Sequence, residues 1–336
     1  MSVRCSIIIR CYNEAAHLPR LLYGISQQSM RDYEIIAVDS GSTDDTVRIL
    51  AAHGVKILPL SPEAFSFGRS CNLGAGAARG EFLVFVSAHA YPVYQTWLDS
   101  LVAPFADPDV AVTYGKQRGN HLSSFSERQI FRAWYPSQDQ TDQEHPFCNN
   151  ANSAIRRDVW EALGFDESLT GLEDLDFARR AAQNGRRIVY AAAAEVIHVH
   201  EERPAAVRNR YRREAIAYRR MYPEARLTLW DFCRLYAGNV ASDCRTAWSE
   251  RVLPRHVKDI LVFRLMQFWG AYRGSRQTEP VSDLLKKRFY YPAAPAPRPV
   301  RQAPPMPGGR VPYPERFDEN SPCNASFCRG AGQDVS

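Results

Sequence analysis

The chain has 336 residues, of which 45% are hydrophobic and 24% charged, and its net charge is +5. These values are ordinary for a folded protein, and no apolar run reaches the roughly 20 residues that a membrane-spanning helix needs. The eight cysteines show no Cys-x-x-Cys pair and no regular spacing, which argues against a zinc or disulfide framework. Because no secretory leader pattern is present, we expect a cytoplasmic protein.

The N-terminal part of the chain alternates between strands and helices. Short apolar strands are predicted at residues 6–9, 34–38 and 55–58, and a helix with Leu18, Leu21, Leu22 and Ile25 on one face separates the first two. A second helix is predicted over residues 46–52. This alternation indicates an α/β protein with a right-handed, nucleotide-binding parallel sheet, Rossmann-like with helices on both faces.

The loop after the second strand is the first candidate binding element. Asp39 closes the strand, and Gly41 begins a Ser/Thr/Asp-rich turn through Asp44 that opens the next helix. A carboxylate there can accept hydrogen bonds from a nucleobase or ribose, and the helix start can meet phosphate. Helix capping alone would also explain these residues. Further along, Arg69 and Asn72 lie three apart, so one helix face could present both to a diphosphate or sugar.

Residues 82–86, Phe-Leu-Val-Phe-Val, are typical of a central strand that is buried on both faces. The run stops at Ser87-Ala88-His89, and Pro92 then prevents further regular pairing. Ligands of open α/β sheets gather beyond the carboxyl ends of the strands, so Ser87 and His89 occupy a candidate binding position. The alternative is a surface turn that contains a histidine.

An asparagine cluster precedes a short strand predicted near residue 153. The amides of Asn150 and Asn152 offer paired donors and acceptors that suit hydroxyl-rich sugars. We therefore assign Asn150, Asn152 and the nearby Arg156 to an acceptor site. An asparagine-rich turn is the alternative.

Two further polar groups follow in the chain. Glu173 and Asp174 begin a predicted helix, where a capping box with Thr170 would explain them structurally. His198 and His200 lie two apart in a predicted strand, so both point to the same side. Either a cation site or hydrogen-bonded core histidines would account for that pair.

Four motifs, in this order, resemble the nucleotide-sugar half of the family 2 glycosyltransferases, which are inverting enzymes with the GT-A fold. They are Ile-Ile-Ile-Arg-Cys-Tyr-Asn-Glu, Ile-Ala-Val-Asp-Ser-Gly-Ser-Thr-Asp-Asp-Thr, Gly-Arg-Ser-Cys-Asn-Leu-Gly-Ala, and the polar triplet that ends the central strand. The resemblance covers about residues 5–200. It implies a nucleotide-sugar site that includes Tyr12, Glu14, Asp39 and Asp44, to which we add Arg69, Asn72 and Ser87.

The resemblance also implies the chemistry. Asp174 matches the family's general base, and Glu173 would orient the acceptor. The family usually holds a divalent cation with Asp-x-Asp at the position where this chain has Ser87-Ala88-His89. Three interpretations stay open: a cation (Mn²⁺ or Mg²⁺) held by His89 with His198 or His200, metal-free catalysis in which arginines neutralise phosphate, or a degenerate enzyme.

The predicted organisation has three parts. Residues 1–203 would form the GT-A catalytic domain, with a nucleotide-sugar half (1–115) and an acceptor half (116–203), followed by a basic helical subdomain (204–291) and a proline-rich disordered tail (292–336). Residues 251–290 carry nine Lys or Arg against three acids. Such a segment suits an anionic membrane surface, although a solvated helical face would look the same.

The sequence therefore predicts a hexosyl- or deoxyhexosyltransferase that moves a sugar from a nucleotide-diphosphate-sugar to a saccharide or lipid-linked acceptor hydroxyl. Its expected setting is surface polysaccharide or glycolipid biosynthesis, at the inner face of the cell membrane and without a nucleic acid partner. A nucleotide-sugar-binding protein without turnover is the alternative. A nucleotidyltransferase is disfavoured because no Gly-rich, Lys-bearing phosphate loop lies near the N-terminus.

Overall fold

Within the described residues, eight strands form one mixed sheet. The computed structural model describes residues 3–141, 143, 145–278 and 310–314. The strands are β1 (Cys5–Cys11), β2 (Tyr33–Asp39), β3 (Lys56–Pro59), β4 (Phe82–Ser87), β5 (Ala90–Pro92), β6 (Val110–Arg118), β7 (Asn152–Arg156) and β8 (Arg187–His198). Their order across the sheet is β3-β2-β1-β4-β7-β6-β8-β5.

The first half of the sheet is parallel, as predicted. Strands β1 to β4 pair in parallel, so their carboxyl ends meet at one edge, where Cys11 aligns with Asp39 and Arg10 with Ser87. The faces are covered by α1 (Leu18–Ser26), α2 (Thr46–Ala52) and α3 (Phe67–Gly76). Helix α3 lies so close to β1 that a Cβ on Gly74 would be 2.5 Å from Ile8 Cγ2, and this approach requires glycine.

The second half of the sheet mixes directions. Strand β7 runs antiparallel to β4, which pairs Asn152 with Val86 near the carboxyl edge and Arg156 with Phe82 at the opposite edge. Two strands predicted at residues 188–191 and 195–200 are the single strand β8, whose end pairs with β5. The helices of this half are α4 (Trp97–Val102), α5 (Phe125–Trp134), α6 (Arg157–Leu163) and α7 (Glu173–Gln183).

The C-terminal region is helical, as predicted, with α8 (Pro204–Met221), α9 (Leu229–Ser249) and α10 (Leu253–Ser275). A buried ion pair joins Arg264 of α10 to Asp243 of α9 at 2.7 Å. Ser126 of α5 donates a hydrogen bond to the same carboxylate at 2.6 Å. The C-terminal helices therefore fix the position of α5. Among the described helices, none combines the length and the apolar character that crossing a membrane requires.

Most of the predicted disordered tail, residues 292–336, lies outside the described residues, as do residues 279–291. Residues 310–314 are described and are packed against the sheet edge. The Val311 N–H donates to the Val93 carbonyl at 2.9 Å, and the Tyr313 hydroxyl donates to the Pro92 carbonyl at 2.9 Å. Val311 and Tyr313 bury apolar surface there.

Candidate active site

A cleft of about 1410 Å³ lies between the sheet and helices α5, α8 and α10. Its lining includes Asp174 at the start of α7, His198 at the end of β8 and His200 two residues beyond it. Much of the remaining wall is aromatic, contributed by Tyr114, Phe131, Trp134, Tyr135, Phe147, Tyr211 and Tyr218. A concave, largely apolar cleft with a few converging polar groups is the usual form of a small-molecule site.

Asp174 lies in the first turn of α7 and is held there by the backbone. Its Oδ2 accepts from the Asn150 N–H at 2.9 Å, and its Oδ1 accepts from the Leu175 N–H at 2.8 Å. Burial, together with the adjacent Glu173 carboxylate, raises the pKa of Asp174 to about 7, although the two N–H donors and Arg10 act against the rise. A carboxylate with a pKa near neutral is suited to general base catalysis.

Glu173 is fixed by an arginine on the neighbouring strand. The Arg10 guanidinium at the end of β1 donates to Glu173 Oε1 at 2.8 Å, and only 6% of the Glu173 side chain is exposed. Arg10 also stacks on the Phe67 ring, 5.2 Å from its centroid. Two adjacent acids thus have different environments, one paired with a cation and the other not, which separates their roles.

Three histidines lie close together beside the cleft that Asp174 lines. A ring nitrogen of each of His89, His198 and His200 lies within 4.8 Å of one on each of the others. The turn between β4 and β5 supplies His89, and the pairing of β5 with β8 brings it opposite the other two: the Val199 N–H donates to the His89 carbonyl at 3.1 Å. His198 and His200 lie on the same side, as predicted, although β8 ends at His198.

Each histidine of the cluster is oriented through its Nδ1. The partners are Glu14 for His89 at 2.9 Å, Gln117 for His198 at 2.7 Å and Glu127 for His200 at 2.7 Å. The Nε2 atom of His198 is buried without a protein partner, and burial lowers the pKa of that ring well below its usual range.

A neutral ring with Nδ1 bonded to a protein acceptor is the usual state of a metal-binding histidine. The donor set therefore fits a divalent cation. Imidazole nitrogens suit Mn²⁺ better than Mg²⁺. A second group, formed by Glu127, His200 and Glu202, shares one histidine with this cluster.

Asp39 ends β2 with one oxygen satisfied and one not. Its Oδ2 accepts from the N–H groups of Gly41 and Ser42, both at 3.1 Å, whereas Oδ1 is buried without a partner. Gly41 has a φ of +90°, which lets the loop fold back onto the carboxylate. Since an unpaired buried acceptor is unfavourable, Oδ1 is a position that a ligand donor would satisfy.

The loop after β1 packs on the loop after β2. The Asn13 side chain accepts from the Thr43 N–H at 2.8 Å, and Asp44 accepts from the N–H groups of Ala15 (3.1 Å) and Thr46 (3.0 Å). Asp44 is thus occupied in joining the loops and in accepting from the first N–H of α2. Tyr12 lies in the same loop, half-buried.

The sequence profile described as Glycosyl transferase family 2 matches residues 6–164. The matched part of the chain, residues 6–164, is a glycosyltransferase family 2 domain. Its relatives include the O-antigen chain rhamnosyltransferase WbaN of Salmonella anatum, which is 29% identical over 61% of this chain and 69% of that protein. RfbN of Salmonella typhimurium strain LT2, also an O-antigen chain rhamnosyltransferase, is 28% identical over 62% of this chain and 70% of its own.

Solved structures share the fold of this glycosyltransferase. The mannosyltransferase PcManGT from Pyrobaculum calidifontis, in complex with GDP-Man and Mn²⁺, has a TM-score of 0.56 at 18% identity, covering 82% of this chain and 88% of its own. Residues 1–349 of TarS from S. aureus have a TM-score of 0.51 at 17% identity, covering 83% and 94%. At these identities the likeness establishes the fold, and the predicted GT-A fold is confirmed.

Three residues predicted to contact a ligand have protein partners for their side chains in this structure. The Asn72 amide is used internally, donating to the Phe165 carbonyl at 3.0 Å and accepting from the Trp160 indole at 3.0 Å. The Asn152 amide is fully buried and bonds to Trp97, Lys116 and Ala194. Arg156 donates to the carbonyls of Phe105 and Val110 at the far edge of the sheet.

Two other predicted residues contribute in a different way. Glu14 bonds to His89 and so supports the histidine cluster, and its contact with a nucleoside stays a prediction. Asn150 is buried, and its backbone N–H rather than its amide contacts Asp174. Arg69 is exposed on α3, and Ser87 is half-buried at the end of β4. For Arg69 and Ser87, contact with the nucleotide-sugar donor stays a prediction.

Helices α5 and α8 supply residues to the site that were not predicted from the sequence. No helix or strand is predicted from the sequence within residues 116–146, but residues 125–134 form α5, whose Glu127 orients His200 and pairs with Arg210 of α8 at 2.7 Å. A signal was present, because Ser124 caps α5 by accepting from the Glu127 N–H at 3.2 Å. Ser-x-x-Glu before an apolar run is the pattern of a capping box.

Proposed function

We propose that this glycosyltransferase is an inverting enzyme that transfers a sugar from a nucleotide-diphosphate-sugar to an acceptor hydroxyl, in the synthesis of a surface polysaccharide or glycolipid. The observation that carries the proposal is the position of Asp174, whose pKa is about 7, in one cleft with His198 and His200. The Salmonella relatives are named O-antigen chain rhamnosyltransferases. Rhamnose, a deoxyhexose, is therefore the first donor sugar to test.

The donor would lie across the carboxyl edge of the sheet. The unpaired Oδ1 of Asp39 would accept a hydrogen bond from the base or ribose, with Tyr12 beside it. Arg69 and Ser87 would meet the diphosphate or the transferred sugar. A divalent cation held by His89, His198 and His200 would neutralise charge on the departing diphosphate.

The transfer needs one base and no covalent intermediate. Asp174 would take the proton from the acceptor hydroxyl while the hydroxyl oxygen forms a bond to the anomeric carbon. The bond between that carbon and the diphosphate oxygen breaks on the opposite face, so the configuration inverts. The Arg10–Glu173 ion pair holds Glu173 beside the base and keeps its negative charge close, which helps to raise the pKa of Asp174.

Screening a nucleotide-sugar panel tests the proposal. The protein is incubated with each donor, with and without EDTA, and release of the nucleoside diphosphate is measured. We expect release from one donor class, loss of release in EDTA, and recovery with Mn²⁺. Binding of a donor without any release, with or without acceptor extracts, would favour the binding-protein alternative, which the absence of a carboxylate at residues 87–89 supports.

The organisation and location follow from the same proposal. Residues 1–203 would act as the catalytic domain, and the helices from residue 204 onward would complete the acceptor side, since Arg210, Tyr211 and Ala271 line the cleft. A cytoplasmic location is proposed.

A further inference from the structure

Helix α9 has an outer face that the described part of the chain leaves uncovered. Trp230 and Trp248 are each 74% exposed, and Leu229 is 58% exposed. The two tryptophans are 18 residues apart. At 3.6 residues per turn they point in the same direction, about 27 Å from each other. Large aromatic side chains that are this exposed to solvent indicate an interaction surface.

The stripe between the two tryptophans is small and basic. The α-helical period places four exposed residues there: Arg234, Ala237, Ala241 and Arg245. The two acids of α9 lie elsewhere, because Asp231 belongs to the N-terminal capping box and Asp243 is buried against Arg264. Arg234 approaches Asp231 at 3.9 Å, an exposed pair that contributes little. The face therefore combines terminal tryptophans with positive charge.

We propose that this face of α9, defined by Trp230, Arg234, Ala237, Ala241, Arg245 and Trp248, docks on an anionic phospholipid surface. Tryptophan prefers the level of the lipid headgroups, where its ring is partly buried and its N–H is solvated. Arginines beside it are attracted to anionic headgroups. A helix of this kind lies in the plane of the interface.

A second copy of the chain fits this face less well. In a two-fold contact between two such faces, Arg234 and Arg245 would approach the same arginines of the other copy. Like charges facing each other across an interface are unfavourable. The alanines also leave the middle of the stripe without the aromatic or aliphatic anchors that protein interfaces use. An anionic lipid surface satisfies both the charge and the tryptophans.

The face adjoins one end of the cleft. Leu227 lines the cleft, and its N–H donates to Ser275 Oγ at 3.1 Å, which fixes the chain three residues before Trp230. Docking through α9 would therefore bring this end of the cleft near the lipid surface. That a lipid-linked acceptor enters there rests on the proposed function, whereas the docking itself does not.

Vesicle flotation with the full chain tests the docking. The protein is mixed with vesicles of phosphatidylcholine alone or of phosphatidylcholine and phosphatidylglycerol in equal parts, and the floating fraction is measured at low and high salt. We expect binding to the anionic vesicles that weakens with salt. Arg234→Gln and Arg245→Gln should each reduce partitioning roughly five-fold. Trp230→Ser and Trp248→Ser should each reduce it roughly ten-fold.

The matched control is Trp134→Ser, which removes a tryptophan that is 52% exposed in the cleft and should leave flotation unchanged. Nucleoside-diphosphate release without vesicles should be unchanged in the α9 variants, so a failure of docking is distinguishable from a failure of the proposed function. Equal flotation of the parent protein and the double tryptophan variant would overturn the proposal. So would a parent dimer that becomes monomeric in that variant, with no vesicle binding in either.

Discussion

Replacing Asp174 by asparagine removes the proposed base while keeping its size. The amide oxygen can still accept one of the two backbone N–H bonds that the carboxylate receives from Asn150 and Leu175. It cannot take a proton from an acceptor hydroxyl. Loss of a general base lowers a rate by about 10² to 10⁴-fold. Donor affinity should stay close to that of the parent protein, because Asp39 and the histidine cluster are unchanged.

The pH dependence gives the same residue a second signature. With a pKa of about 7, Asp174 is ionised above neutrality, and kcat/KM should rise with pH to a plateau. About one tenth of the carboxylate is ionised one pH unit below the pKa, so the rate falls about ten-fold per unit there. Glu173→Gln should move this limb to lower pH. The change removes a negative charge that raises the pKa and leaves the Arg10 cation, which lowers it.

The assay is the initial rate of nucleoside-diphosphate release with acceptor present, between about pH 5 and 9, with donor affinity measured in parallel. Asp158→Asn is a matched control, because Asp158 is an exposed acid in the first turn of α6. Its activity should equal that of the parent protein. The reasoning fails if Asp174→Asn keeps transfer at the parent's rate, or if Glu173→Gln leaves the acidic limb in place.

Three further outcomes are expected. Asp174→Asn should become more stable relative to the parent protein as pH rises from about 4 to 7. The native pKa of Asp174 lies above its ordinary value, so ionisation of the carboxyl opposes folding of the parent over that window. Urea unfolding at several pH values measures the difference in stability, and a difference that does not change with pH would contradict the prediction. His198→Ala should weaken Mn²⁺ binding by at least about ten-fold in calorimetry, and an unchanged affinity would remove the histidine cluster as the cation site. Asp39→Asn should raise the donor KM about ten-fold or more with little change in kcat, and an unchanged KM would show that its unpaired oxygen does not meet the donor.

The parallel half of the fold was predictable from local patterns. Apolar runs such as residues 82–86 and the polar turns after them identify strands and their carboxyl ends, and the parallel topology then places those ends at one edge. For that reason Asp39, Ser87 and His89 could be assigned to one region before any coordinates. The two-residue spacing of His198 and His200 likewise determined that they share a side.

The acceptor half depended on pairings that no local pattern contains. Whether Asn152 or Arg156 lies at the carboxyl edge is decided by the antiparallel direction of β7, which is a tertiary property. The Asn72 amide looked available because its partners, Phe165 and Trp160, are about 90 residues away in the chain. Polar residue types predicted that these side chains would form hydrogen bonds, but not whether the partner is protein or ligand.

The histidine cluster offers an explanation for the absence of the Asp-x-Asp motif. The Asp-x-Asp carboxylates are absent, but those of Glu14 and Glu127 bond to the Nδ1 atoms of His89 and His200. The two carboxylates are thus one imidazole ring away from the proposed cation, and each makes the histidine that it contacts a stronger ligand. Nitrogen ligands favour Mn²⁺ and later transition metals over Mg²⁺, which prefers oxygen. We therefore propose that Ser87-Ala88-His89 reflects a change of cation preference and not a degenerate site.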